Sequence, residues 1–276
     1  MMLLHTVYLH LQKHFTKAEH LWDIEVPGAH SISFKDGDTL FVSQVIGENV
    51  HEGGIIKCTG LQQESFLPPH ACSYYAVAIG PDEEVVARNF TTNEIEIYSQ
   101  LEKNKVFSWP LPAGKHKGLA VNNDGLIYMC DTSSHSVRVY HPTGDLIRVI
   151  QNSDMKSPHY LAVNHRGLVV TCMGDEPAVL YFDFEDQEDG EWEPDWEFGE
   201  FEWPSGVAID DNNDIYVCDT EDKKVVMIAA GGDLTFDMVT EEMLGGKKPF
   251  AVAVYGNRLA VQLLDSDVVK LYELTS

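Results

Sequence analysis

The chain has 276 residues, 44% hydrophobic and 23% charged, with 44 acidic against 19 basic residues and a formal net charge of −25. That apolar fraction is enough to bury a large core, which excludes general disorder. The charge argues against nucleic acid or an anionic membrane as the main partner, since both require a basic face.

Residues 1–11 (MMLLHTVYLHL) are apolar but lack a basic leading region and a small-residue cleavage site, so no signal peptide is expected. No stretch approaches the roughly 18 apolar residues of a membrane helix. Residues 7–11 alternate like a strand with no evident place, and residues 21–26 (LWDIEV) read as a second strand. From His30 onward the chain repeats itself. Taking the first apolar residue of each unit as its anchor gives Ile32, Val77, Leu119, Leu161, Val207 and Val252, at spacings of 45, 42, 42, 46 and 45. Each unit holds four short apolar strands joined by Asn, Asp or Gly turns. A period near 40–45 with four strands per unit predicts the blades of a six-bladed, all-β propeller. Only 24 residues follow Val252, enough for three strands, so the strand at 21–26 is expected to complete the last blade as its outermost strand. That closure would make residues 1–276 one propeller domain, expected to be a monomer.

Units three and five are the most regular. Pro204-Ser205-Gly206-Val207-Ala208-Ile209-Asp210 is followed by Asp214-Ile215-Tyr216-Val217-Cys218-Asp219, and Gly118-Leu119-Ala120-Val121-Asn122 by Gly125-Leu126-Ile127-Tyr128-Met129-Cys130-Asp131. This pattern resembles the NHL repeat, strongly in units three and five and more weakly elsewhere. The resemblance implies a propeller like the C-terminal recognition domain of tripartite-motif ubiquitin ligases, which bind proteins or RNA. Zinc-using amidating lyases and calcium-dependent lactonases are more distant propellers, and they imply the alternative of a metal-assisted lyase or hydrolase acting at the central channel.

The position two before each anchor should fall at one mouth of the channel: His30, Tyr75, Lys117, His159, Ser205 and Phe250. These are the candidate binding residues. A zinc site needs at least three ligands, and the ring supplies only two histidines, with His116 one position off register. Calcium needs converging hard oxygens, and no acidic residue occupies the ring. No metal or cofactor is therefore expected, and no catalytic residue is assigned. The run from Asp210 to Asp214 looks like a calcium loop but aligns with Asn122-Asn123-Asp124-Gly125, a turn. Cys130, Cys172 and Cys218 occupy one repeat position and are expected to pack between blades. With Cys58 and Cys72 they form no paired spacing, which suits a reducing cytoplasm. Lys115, Lys117, Lys247 and Lys248 are the only basic island near a mouth.

Unit four carries an insertion, residues 183–202 (DFEDQEDGEWEPDWEFGEFE), with eleven acids and no base, so −11 of the −25 sits on one hairpin. Its aromatics either pack back on the blade or, through Trp192 and Trp196, dock a basic partner segment. The expected function is recognition, without chemistry, of a protein or peptide partner, a basic one where the acidic hairpin takes part.

Overall fold

Every repeat folds as a four-stranded antiparallel sheet, and the six sheets form a propeller without helices. The computed structural model describes residues 14–46, 52–70, 72–185, 187 and 192–276; residues 7–11, expected as a strand, lie outside them. Strands are numbered β1 to β24 in chain order. The innermost strands are β2 (Ala29–Phe34), β6 (Tyr74–Ile79), β10 (His116–Val121), β14 (Pro158–Val163), β18 (Pro204–Ile209) and β22 (Pro249–Tyr255). Each packs against the next, and β22 returns to β2, closing the circle.

The second strand of a blade is packed on both faces, which is why it reads as a continuous apolar run rather than an alternation. In β7 (Val85–Asn89) every residue is buried. Val86 joins a cluster with Leu119, Ile127 and Met129 of blade three, while Val85 and Ala87 join one with Phe41 and Ile55 of blade one. Period-2 alternation thus assigns alternate residues to the two neighbouring blades. Cys130 and Cys172 are fully buried between blades three and four, and Cys218 between five and six. They serve as small apolar residues, as the repeat position implies. Side-chain hydroxyls add clamps between blades: Thr132 Oγ1 donates to the carbonyl of Pro158 at 2.7 Å, and Thr220 Oγ1 to that of Pro249 at 2.8 Å.

Closure follows the expected route, with a longer strand. β1 (Lys17–Glu25) pairs antiparallel with β24 (Val268–Thr275), from Lys17 opposite Thr275 to Glu25 opposite Val268. The outer edge of blade six is covered by the opposite end of the chain, which hides a template for intermolecular pairing. His14, just before β1, binds the buried carboxylate of Asp214 in blade five at 2.8 Å.

Two glycines are fixed by how closely the inner strands approach. A Cβ on Gly206 would lie 2.6 Å from the Cα of Ala251 in the next blade, and one on Gly118 would lie 2.7 Å from the Cα of Tyr160. Backbone offers no flexible end to move aside. Gly206→Ala is accordingly expected to cost about 1–3 kcal/mol through overpacking, read from the urea midpoint. An unchanged midpoint would show that adjacent blades slide apart freely.

In the acidic insertion, β17 (Trp196–Phe198) pairs with β16 (Ala178–Asp183) and supplies the outer strand of blade four. Both tryptophans turn inward. Trp192 is buried against Phe182 and Phe184, and Trp196 stacks on Tyr181 with ring centres 5.2 Å apart. Phe201 is buried between blades four and five.

Candidate functional site

The six inner strands share a local irregularity that a simple alternation does not predict. Each carries a β-bulge against its second strand at the same repeat position: between Ala29 and Ser31, Tyr74 and Ala76, His116 and Leu119, Pro158 and Tyr160, Pro204 and Val207, Pro249 and Ala251. A bulge places two residues opposite one and re-aims a side chain. The extra residues are those of the candidate ring, with His30, Tyr75, His159 and Phe250 standing directly between the register points. Lys117 and Ser205 share their bulges with Gly118 and Gly206.

Below this ring the anchors Ile32, Val77, Leu119, Leu161, Val207 and Val252 are all buried and form an aliphatic waist. The space on the ring side is only about 60 Å³. Beyond the waist lies a second space of about 170 Å³, bounded by Phe34, Ile79, Val121, Val163, Ile209 and Val254. The residues lining this path are uncharged. Among the described residues no three His, Cys, Asp or Glu side chains cluster as a metal site requires. The described ring thus offers two histidines, short of the three ligands a zinc site needs. The side chain of His116 is outside the described ones.

The ring side is instead an aromatic floor. The His30 ring lies 4.6 Å from that of Tyr75 and 5.5 Å from that of Phe250. Tyr75 stacks on Phe90 at 4.4 Å, and Phe250 meets Tyr160 edge-on at 5.6 Å. Ser205 departs from the rest. It is fully buried, with its hydroxyl 2.6 Å from Thr220 Oγ1 and donating to the carbonyl of Phe250 at 2.9 Å, so it ties blade five to blade six beneath the floor.

Both ring histidines are neutral at pH 7 with a fixed tautomer. His30 Nδ1 is 3.0 Å from the carbonyl of Tyr75, and His159 Nδ1 is 2.8 Å from that of Ser157. A carbonyl only accepts, so each Nδ1 carries the proton and each Nε2 keeps a lone pair. Burial pushes the His30 imidazole down to about 4, with the Lys117 ammonium adding to the effect. His159 is lowered for the same two reasons.

Lys117 Nζ sits 5.9 Å over the Tyr75 ring, and the Arg88 guanidinium lies 5.2 Å from the Phe90 ring. Arg88 is 3% exposed and donates to Asn93 Oδ1 at 3.3 Å, while its Nε and Nη1 have no partner. Burial lowers Arg88 to about 10, and burial together with Arg88 and Lys115 lowers Lys117. In a chain of net charge −25 these two cations face no carboxylate among the described residues. Lys248, by contrast, is paired with Glu221 at 2.7 Å. The repeat-position argument therefore found Lys117 but missed Arg88, Phe90 and Tyr160. Arg88 left one signal, a lone base in an otherwise apolar second strand. Tyr160 left another, standing where the other blades carry Ser31, Ala76, Gly118, Gly206 and Ala251.

Residues 201–226 match the NHL repeat. No curated protein matches the chain. Three solved structures are similar to the chain at low identity. Virginiamycin B lyase from Staphylococcus aureus is 15% identical over 92% of this chain and 88% of its own, with a TM-score of 0.63. A gluconolactonase from Xanthomonas campestris is 14% identical over 91% and 87%, with a TM-score of 0.68. The PQQ-bound aldose sugar dehydrogenase from Streptomyces coelicolor is 14% identical over 94% and 98%, with a TM-score of 0.65. At these identities the likeness is one of fold, and the chain is a six-bladed β-propeller containing an NHL repeat.

Proposed function

We propose that this propeller recognises a partner protein or peptide at the mouth lined by His30, Tyr75, Lys117, His159 and Phe250. The observation that carries this reading is the set of six equivalent bulges, which direct side chains of one repeat position to one end of the ring. There they form a half-buried aromatic floor flanked by two cations that meet no counter-charge among the described residues. Aromatic anchors and desolvated charges are what binding hot spots are made of, and the waist beneath closes the site as a shallow socket. Lys117 and Arg88 suit an acidic group of the partner. In a ubiquitin-ligase-like assembly such a socket would hold the substrate.

Panning a random-peptide library against the whole chain tests this. Enrichment of a shared motif is expected, with its affinity falling at least tenfold for Tyr75→Ala and for Lys117→Ala while the thermal midpoints stay put. A motif bound equally by both variants would place recognition elsewhere.

A second reading, chemistry at the same mouth, is favoured by one observation: the two neutral histidines with free Nε2 atoms. The similar folds include a lyase and a gluconolactonase. Among the described residues, the groups of this mouth that could move a proton are His30, His159 and Lys117. Turnover of glucono-δ-lactone above the buffer rate, abolished by His159→Ala, would establish this reading; the buffer rate alone would reject it for that substrate.

A further inference from the structure

Between blades six and one, beside the aromatic floor, lies a cavity of about 340 Å³ whose lining includes His30, Phe250, Gln262, Asp265 and Asp267. Its polar side chains are mostly acceptors; the Ser266 hydroxyl, which accepts from the Val268 amide, is the one side-chain hydroxyl in the lining. Gln262 is 2% exposed, and its Nε2 donates to the carbonyls of Ala29, at 3.1 Å, and Leu263. Those two carbonyls fix the orientation of the amide, since a flip would set oxygen against oxygen. Gln262 Oε1 is then a buried acceptor with no donor. An unpaired buried acceptor is costly, and a donor brought by a bound group is one way to satisfy it.

Apart from the Ser266 hydroxyl, the other polar side chains of the cavity also accept. His30 holds its proton on Nδ1, which leaves Nε2 as an acceptor. Asp267 uses Oδ1 on the amide of Gly28 at 2.8 Å. Asp265 is exposed at a turn with φ of 51°, and no cation pairs with either carboxylate among the described residues. No lysine or arginine lines the cavity, and Phe250 supplies an aromatic wall. Acceptors, negative charge and a ring face together complement one kind of group, a compact cation with several N–H donors.

We infer that the cleft between blades six and one binds a primary ammonium group, such as the side-chain amine of a lysine presented by a partner. The inference rests on this end of the ring being the ligand face, and it gives that face two poles: Lys117 and Arg88 for an acidic group, the cleft for an amine. Its test, however, needs no partner.

Titration of the whole chain with Nα-acetyl-lysine-N-methylamide, followed by calorimetry, is expected to show saturable binding with one site. Acetylating the side-chain amine removes charge and donors, and is expected to weaken binding at least tenfold. Asp265→Asn keeps a residue type that tolerates the left-handed backbone, and is expected to weaken it similarly with an unchanged thermal midpoint. Tyr75→Ala, which tests the peptide socket, is expected to leave amine binding intact, so the two readings fail separately. Equal binding of the acetylated compound, or equal binding by Asp265→Asn, would overturn the inference. So would stoichiometric calcium binding that excludes the amine. Butylammonium binding as tightly as the lysine derivative would support the ammonium site with a free amine as its source; weaker binding would support a peptide side chain.

Discussion

Ile24→Asp is expected to lower the unfolding free energy by about 3–5 kcal/mol, the range for an uncompensated buried charge. Ile24 is 3% exposed, lies opposite Val269 in the β1–β24 pair, and packs in a cluster that joins Ala29, Ile32 and Val42 of blade one to Val269 and Leu271 of blade six. This is the seam where the ring closes, through strand pairing between β1 and β24 inside blade six. A carboxylate there has no cation to meet and cannot reach water without lifting the strand. Release of β1 exposes the edge of β24, so the variant is also expected to associate, visible as light scattering at temperatures where the parent chain stays clear. Glu25→Ala, at an exposed position of the same strand, serves as the control and should change stability by less than about 0.5 kcal/mol. Equal denaturant midpoints for the two variants would mean that β1 contributes little to closure.

The parts of the molecule that were legible from the residues are those written in every repeat. Anchors such as Val77 and Val207 recur at near-constant spacing because each blade must bring one branched residue to the waist. The turn at Asp210 was readable from Asn122 for the same reason. The ring of candidate residues also emerged from register, although the bulges that present it did not, since an extra residue in a short strand leaves no mark in a hydrophobic pattern. What stayed hidden depends on partners from other blades. Ser205 looks like a mouth residue until Thr220 and the carbonyl of Phe250 claim its hydroxyl. Gln262 looks like any polar residue in a strand until Ala29, 233 positions away, takes its amide hydrogen. The tryptophans of the acidic hairpin are recruited inward by Tyr181 and Phe182, contacts that composition alone could not choose over an exposed docking role. The NHL pattern speaks for fold-setting positions such as Gly206 and Val207, and those positions are silent about which ligand the mouth takes.

Asp210→Asn is expected to stabilise the protein by up to about 3 kcal/mol at pH 7.5 and by almost nothing near pH 4. Asp210 is 7% exposed; its Oδ1 accepts from the amides of Asn212 at 2.8 Å and Asp214 at 2.9 Å. Burial, reinforced by the neighbouring Asp214 carboxylate, raises the Asp210 carboxyl to about 6 from an ordinary 3.8. The folded chain therefore holds this proton more tightly than the unfolded chain. As pH rises through the window from about 4 to 6, the unfolded state loses its proton first, and stability falls until the folded carboxyl has also ionised. Above that window the full cost of a buried charge is present. Asparagine removes the charge and keeps the turn, because Asn122 Oδ1 accepts the corresponding pair of amides in blade three, and Asn164 Oδ1 accepts those of Arg166 and Gly167 in the shorter turn of blade four. Titrating groups away from this turn affect both proteins alike, so the difference between the two unfolding free energies, measured by denaturant titration across pH 4–8, reports Asp210 together with its coupling to Asp214. A difference that opens between pH 4 and 6 and then levels off is the expected curve. A constant offset would show that Asp210 ionises as freely in the fold as outside it.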